Sequence, residues 1–268
     1  MDNVVSRLIS TGVFTSLLFA AQVNADGLQD LKQSLAKLKG ATPIHASLES
    51  SHNQNRDKDE DLKTTTGYIN VSLSNSSDGL QITYASDVLN KIEQEQLLTD
   101  QDEEADTPTL NAMNRLETTD LNRMLSAAPS LARFIEKAKF IEELPADIQG
   151  KEARRLIFDL PLESIVDDAE VRGYVDDFEG KYTLLIDNEG YPKQSILSFA
   201  GSGSAFLFFS VEMEQTLTSS YETHGDRLVV VQEEIQRSSS STWADTESVS
   251  LKHLTVQDTA QQLAKTMN

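Results

Sequence analysis

The chain has 268 residues and a formal net charge of −20 at neutral pH, with 23 lysines and arginines against 43 aspartates and glutamates. So acidic a chain repels the phosphates of nucleic acids and anionic membrane surfaces, and we therefore predict no nucleic-acid partner. It contains no cysteine, which excludes disulfides, thiolate metal sites and cysteine catalysis. The length is sufficient for a substantial hydrophobic core.

The first 25 residues predict a secretory signal peptide. The segment from Val4 to Ala21 is mostly apolar or small, and the tripeptide Val23-Asn24-Ala25 follows it. Compact residues at the first and third positions of that tripeptide match the pattern that a signal peptidase recognises. The apolar stretch is shorter than the roughly 20 residues that a membrane-spanning helix needs. We therefore expect cleavage of residues 1–25, a mature chain from Asp26 with no integral membrane span, and a periplasmic or secreted location.

The start of the mature chain predicts a helix followed by strands. Residues 45–51 alternate, with Ala46 and Leu48 on one face, which indicates a strand. The polar run 53–61 predicts a loop, and residues 65–73 and 80–85 predict a hairpin. An amphipathic helix over residues 28–39, ended by Gly40, is indicated by leucines at three- and four-residue spacing, which are Leu28, Leu31, Leu35 and Leu38.

From about residue 86 to 144 the apolar period becomes helical. An acidic, proline-containing segment at 99–109 interrupts the pattern, and an apolar face then runs from Leu121 to Ile141. Proline is tolerated in the first turn of a helix, so Pro129 predicts a break at Ala128 and a new helix after it. We interpret this stretch as a helical insertion with an acidic loop in a single α+β domain over residues 26–268.

The remainder of the chain is predicted to be β-structure. Strands are indicated at 153–160, 182–187, 195–199, 205–221, 227–237 and 247–256, and turns at 188–190, 201–204, 224–226 and 238–241. The long antiparallel strand carries apolar residues at alternate positions, among them Val211, Met213 and Leu217. These elements predict an α+β fold with a curved antiparallel sheet, or an incomplete barrel, covered by helices.

No motif in the chain predicts catalysis, a cofactor or a metal. The acidic runs 57–61 and 100–106 lack the turn glycine of a calcium loop, which leaves solvated loops or, as the alternative, weak sites for divalent cations. The glycine-serine run 201–204 precedes a strand and has no lysine, unlike a phosphate-binding loop. No serine lies in a nucleophile elbow. Metal-ligand spacing is absent among the histidines, which are His45, His52, His224 and His253.

The most informative run for function is Phe206-Leu207-Phe208-Phe209, because apolar residues at consecutive positions require both faces of a strand to be covered. One interpretation is a strand buried under helices on one side and under a loop or a partner on the other. The second is that one face of this run lines an apolar cavity or groove. Phe206, Leu207, Phe208 and Phe209 are therefore the candidate face for an apolar ligand or a partner protein.

The order of a signal peptide, a helix with Leu28, Leu31, Leu35 and Leu38, and a strand with Ala46 and Leu48 resembles the start of periplasmic lipoprotein carriers of the LolA type. The antiparallel strands and covering helices that follow are also similar to that family. In such carriers a curved, incomplete barrel shelters an acyl chain beneath helices. The resemblance implies an exported protein that binds an apolar or lipid-like ligand. Because no catalytic, metal or cofactor motif is found, we also predict that the protein is not an enzyme.

The alternative is a cell-envelope interaction or structural domain without a small-molecule ligand. A carrier needs an apolar cavity for its ligand, and such pockets have volumes of roughly 300 Å³ or more. An interaction domain needs a filled core together with an exposed apolar patch or a free strand edge.

Overall fold

The computed structural model describes residues 26–58, 61–205 and 209–257. The predicted signal peptide, residues 1–25, lies outside the described residues. Ten strands form an open antiparallel sheet in the order β3-β2-β1-β10-β9-β8-β7-β6-β5-β4. They are β1 (Ile44–Lys58), β2 (Asp61–Ser76), β3 (Gly79–Thr83), β4 (Lys139–Ile148), β5 (Lys151–Asp159), β6 (Val175–Asp187), β7 (Pro192–Ala205), β8 (Phe209–His224), β9 (Arg227–Ser241) and β10 (Asp245–Val256).

The helices lie before the sheet and in its two long connections. In the described part of the chain, no helix is long and apolar enough to cross a membrane. A short 3-10 helix (Leu162–Ser164) and α6 (Ala169–Arg172) connect β5 to β6. Helix α1 (Asp26–Lys37) precedes β1, and the connection from β3 to β4 contains α2 (Ser86–Thr99), α3 (Pro108–Met113), α4 (Thr118–Leu125) and α5 (Ala128–Lys137).

The two faces of the sheet differ in composition, and we call the face that packs against the helices the inner face and the opposite one the outer face. Leu48 of β1 lies opposite Val71 of β2 and Leu254 of β10, and all three side chains are buried. The leucines of α1 and α4 join them in one core cluster. Fully burying one such side chain stabilises the fold by about 1.5–3 kcal/mol. The alternation of apolar and polar residues along each strand therefore determines which face the helices cover.

Polar contacts fix the first helix on the β4–β5 end of the sheet. The backbone N–H of Gly27 donates to the Glu143 carboxylate of β4 (3.0 Å). Arg154 of β5 donates to Asp30 (2.7 Å) with its guanidinium. The amide at the start of α1 thus has an acceptor, and Leu31 and Leu35 are directed into the core.

The predicted α+β class, an antiparallel sheet with helices on one face, is confirmed. The predicted hairpin corresponds to β2 and β3, and the helix break falls between α4 and α5, with proline in the first turn of α5. Helices α2 to α5 lie within the stretch 86–144, whereas residues 139–144 belong to β4 rather than to a helix.

Three polar segments were predicted wrongly as loops or turns. Residues 53–58 continue β1, residues 201–204 lie inside β7, and residues 238–241 lie inside β9. Each is paired with a neighbouring strand on both sides. Backbone hydrogen bonds hold these residues in the sheet, and such bonds do not require apolar side chains.

Candidate functional site

The inner face of strands β6 to β9 carries apolar side chains that are only half-buried. Closer to the helices, the same face is fully buried, as at Phe158 and Leu184, which are 0% exposed. Leu197 packs against the edge of the core cluster, and the others lie beyond it. We call this set the apolar strip, and it consists of Phe178, Leu197, Phe199, Val211, Met213, Leu217 and Ile235.

Strand register places the apolar strip on one surface. Leu217 of β8 lies opposite Leu197 of β7 and Ile235 of β9, which forms an apolar row across three strands. The rings of Phe178 and Phe199 stack with their centroids 6.2 Å apart. Because neighbouring strands are about 4.8 Å apart, the strip spans about 14 Å from β6 to β9.

The opposite side of the same hairpin is polar. Ser198 on β7, and Glu212, Glu214 and Thr216 on β8, alternate with the residues of the apolar strip and point to the outer face. A strand with one polar and one apolar face is typical of a sheet that is covered on its apolar side. On this hairpin the apolar inner side is only partly covered within the described residues. The apolar strip is therefore the candidate surface for a ligand or partner.

The predicted site residues belong to the same hairpin. Phe206, Leu207 and Phe208 lie outside the described residues, between the end of β7 and the start of β8. Phe209 begins β8 opposite Ala205, but its side chain is not described. The alternation at Val211, Met213 and Leu217 predicted the strand but did not single these residues out as part of the candidate face, and Phe178 and Phe199 were missed as well.

Aromatic side chains extend from the apolar strip toward α5. Tyr182 lies opposite Leu197 and contacts Phe134 of α5 edge-on, with ring centroids 4.9 Å apart. Phe158 follows at 5.9 Å from Tyr182, and Phe140 at 5.5 Å from Phe158. Of the ten phenylalanines in the chain, all but Phe14 and Phe19 lie between residues 134 and 209. Among the described residues, the phenylalanines with described side chains therefore all lie on α5 and on β4 to β7.

Two buried hydroxyls lie beside this aromatic cluster. The Ser195 Oγ and the Tyr221 OH are 2.8 Å apart. Burial raises the pKa of Tyr182 well above its ordinary value and also raises the pKa of Tyr221. Both phenols therefore stay protonated at neutral pH, which suits hydrogen bonding rather than nucleophilic or proton-transfer chemistry.

A charged cluster lies between α4 and the inner face. Glu233 of β9 is 2.7 Å from Arg123 Nη2 and 3.3 Å from Lys252 Nζ. Asp120 completes it, 3.4 Å from Arg123 and 3.3 Å from Lys252. Burial acts to lower the pKa of Arg123, but the adjacent Glu233 outweighs it and the pKa is raised. Because every charge has an opposite partner, the cluster holds α4 on β9 and β10.

The histidines do not form a metal site in the described part of the chain. His52 Nδ1 is 2.8 Å from the Ser250 hydroxyl, and its pKa is lowered mainly by burial and secondly by Arg115. His224, at the end of β8 rather than in the predicted turn, is 3.1 Å from Glu222 of the same strand. Among the described residues, no group of three or more histidines and carboxylates could hold a metal ion.

Comparison with protein families, with curated proteins and with solved structures finds no match to this chain. The function is therefore argued from the geometry of the described residues.

Proposed function

We propose that this protein is an exported binding protein that holds an apolar or lipid-like ligand against the apolar strip. The observation that carries the proposal is the half-buried inner face of β6 to β9, where Leu197, Leu217 and Ile235 form one row. When a ligand covers apolar surface that is otherwise exposed to water, the binding free energy becomes more favourable by about 25 cal/mol for each Å² covered. The proposed role is binding rather than catalysis.

The location of the candidate face supports the same proposal. Phe206 to Phe208 connect the two strands that supply most of the apolar strip. Ligand-binding surfaces are lined mainly by hydrophobic and aromatic side chains with few polar groups, and this hairpin has that composition on its inner side. The resemblance to lipoprotein carriers points to an acyl chain as the ligand class.

Export is supported by the sequence of residues 1–25. Helix α1 begins at Asp26, so removal of those residues leaves every described element intact. Mass spectrometry of the native protein tests this part of the proposal. We expect a mature chain that starts at Asp26, and an intact Met1 in a cytosolic fraction would contradict export.

Ligand binding is tested with a matched pair of variants on one strand. Leu217→Asn places an amide on the inner face, whereas Thr218→Asn changes the neighbouring outer-face position. We expect lipid to co-purify with the wild-type protein in native mass spectrometry. We also expect a fluorescent fatty acid to bind the Leu217 variant about tenfold more weakly than the wild-type protein. The lost apolar contact is expected to cost about 1.4 kcal/mol of binding free energy, which corresponds to a tenfold change in Kd. Equal binding by both variants, or a ligand-free native protein, would refute the proposal.

A second candidate function is protein binding at the free edge of β4. This strand pairs only with β5, and Ile141 and Leu144 are 43% and 36% exposed on it. An unpaired strand edge can add a strand from a partner. This is the function expected if the native protein carries no lipid, and Ile141→Lys would then weaken the complex.

A further inference from the structure

The outer face of the sheet carries an open groove that the proposed lipid site does not use. Its volume is about 860 Å³, and it crosses β6, β7, β8, β9, β10 and β1. Serine, threonine, asparagine and glutamine provide much of its lining, and its apolar residues are Phe199, Ala200, Val249 and Leu251. No helix of the described chain covers this face, because the helices pack on the inner side.

Strand register gives the groove a regular pattern of charge. Glu179 of β6, Glu214 of β8 and Glu247 of β10 lie in one row, with Ala200 of β7 and Ser238 of β9 between them. Carboxylates thus alternate with small side chains from strand to strand. Because alternate strands are separated by twice the strand spacing, neighbouring carboxylates of the row are about 10 Å apart.

A second row repeats this pattern two residues further along each strand. Asp177 of β6, Glu212 of β8 and Asp245 of β10 are carboxylates, and Ser202 and Ser240 lie between them. Two residues along a strand correspond to about 7 Å. The first row lies in the groove, and the second row continues it past the lining residues. We call the surface of the two rows over β9 the trough, with Ser238 and Ser240 as its floor and two carboxylates on each wall.

The carboxylates of the trough are available to a partner. Glu212, Glu214, Asp245 and Glu247 are exposed, and none of them forms an ion pair with another described residue. Asp245 accepts a hydrogen bond from the hydroxyl of Ser240 (2.6 Å), which leaves its charge without a cationic partner. In contrast, Glu179 on β6 has Lys181 at 3.8 Å. The free negative charge is therefore concentrated on the walls formed by β8 and β10.

We propose that the trough over β9 binds an extended cationic polypeptide segment with basic residues at alternate positions. In an extended chain, alternate side chains point the same way and are about 7 Å apart. That spacing matches the Glu212–Glu214 and Asp245–Glu247 steps along the walls. The two walls are about 10 Å apart, because β8 and β10 each lie one strand spacing from β9.

Serine is the side chain that this proposal requires on the floor. Ser238 and Ser240 are small, so the backbone of an incoming segment can approach β9 while its basic side chains reach the carboxylates. A large residue at position 238 would fill the trough without changing its charge. The acidic walls also explain the choice of partner, since charge complementarity speeds association and selects against anionic chains.

The test uses the full mature chain and a synthetic peptide of alternating lysine and threonine at physiological salt. We expect the double variant Glu214→Gln/Glu247→Gln to bind the peptide about tenfold more weakly, because two exposed charge contacts of up to about 1 kcal/mol each are lost. Ser238→Phe should weaken binding similarly. The matched control is Glu103→Gln/Asp106→Asn in the loop after α2, which removes the same charge from exposed positions that form no ion pair with another described residue.

Four results would overturn the proposal. They are no binding by the wild-type chain, equal weakening by the loop variant, unchanged binding by Ser238→Phe, and equal affinity for a peptide with the same composition whose lysines are grouped in one block. The last two would indicate a non-specific attraction to the −20 charge of the chain. Circular dichroism of each variant verifies folding, which these exposed substitutions should preserve.

Discussion

Glu233 shows how strand register determines the role of a single residue. The chain contains glutamate at both 233 and 234, and the local sequence does not distinguish them. Glu233 lies opposite Lys252 and Ser219 on the inner face and is 1% exposed, whereas Glu234 points outward and accepts a hydrogen bond from Gln236. Only the first is a buried carboxylate that needs cationic partners to remain charged.

We expect Glu233→Gln to destabilise the protein by about 3 kcal/mol, because Lys252 and Arg123 lose their shared buried counter-charge. The control is Glu234→Gln on the outer face of the same strand, for which the expected change is within about 0.5 kcal/mol. Urea unfolding of the three proteins measures both values. If Glu233→Gln lowered the free energy of unfolding no more than Glu234→Gln does, the inner cluster would not stabilise the fold.

Asp226 provides a residue-scale prediction on pH. Its carboxylate accepts hydrogen bonds from the backbone N–H groups of Ala41 (2.9 Å) and Thr42 (2.8 Å), and contacts with Thr42 are the main cause of a pKa lowered to about 2. A lowered carboxyl pKa stabilises the fold above the ordinary value of 3.8, and this contribution is lost as the pH falls toward 2.

We therefore expect the wild-type protein to lose more stability between pH 4 and pH 2 than Asp226→Asn does, since the amide does not titrate. Thermal unfolding at several pH values in that window measures the difference. If the two proteins showed parallel pH profiles, the carboxylate of Asp226 would not contribute through its hydrogen bonds.

At the scale of elements, α3 covers the part of β2 that β3 does not reach. Asn111 donates to the carbonyl of Thr66 (3.0 Å), and Gly67 lies against Ala112. A Cβ at Gly67 would lie 3.0 Å from the Ala112 nitrogen, a backbone atom that cannot rotate away. The absence of a side chain at this position is therefore what allows the helix to approach the strand.

Gly67→Val should separate α3 from β2 and destabilise the protein by about 1–3 kcal/mol, the usual cost of overpacking. The control Thr66→Val changes the adjacent, exposed outer-face residue. Urea unfolding measures the cost, and hydrogen exchange should show faster exchange of the α3 amides in the Gly67 variant alone. Unchanged exchange in α3 would mean that the helix tolerates the side chain.

The helices and strands that could be predicted from the sequence are those that bury one face in the hydrophobic core. Helix α1 has leucines at helical spacing, and β8 has apolar residues at alternate positions, so periodicity located both. The outer ends of β1 and β2 were missed because their side chains, such as Asn55 and Arg56, are exposed. Backbone pairing holds those ends in the sheet, together with side-chain hydrogen bonds such as that from Thr64 to Asn55 (2.9 Å), and neither leaves an apolar pattern in the sequence.

The candidate site was predictable only where it consists of consecutive or alternating apolar residues. Val211, Met213 and Leu217 follow that rule, and their alternation indicated the strand, although the sequence singled out only the run that begins at Phe206 as a candidate face. Phe178 lies on β6, and it joins the apolar strip only because Gly201 of β7 pairs with it. Pairing between strands that are distant in sequence requires the topology, which periodicity does not provide.

At the scale of the whole molecule, the order of strands makes the last strand the closing element. Strands β1 to β3 extend the sheet to one edge, and α2 to α5 carry the chain to the opposite edge. The chain then returns through β4 to β9, and β10 pairs with β9 on one side and β1 on the other. The two halves of the sheet are joined through β10. Its pairing with β9 is a local hairpin, whereas its pairing with β1 is distant in sequence and therefore slow to form.

Truncation after Ala244 should therefore prevent cooperative folding rather than loosen one edge. It removes both ladders of β10, separates β1–β3 from β4–β9, and deletes Lys252, which leaves Glu233 with Arg123 as its remaining cation. The control is truncation after Gln257, which retains all ten strands. Near-UV circular dichroism and urea unfolding should show a cooperative transition for the control and none for the shorter chain, because a sheet divided in the middle exposes core residues of both halves. A cooperative transition of wild-type midpoint in the chain ending at Ala244 would show instead that the two halves fold independently and that β10 is only an added strand.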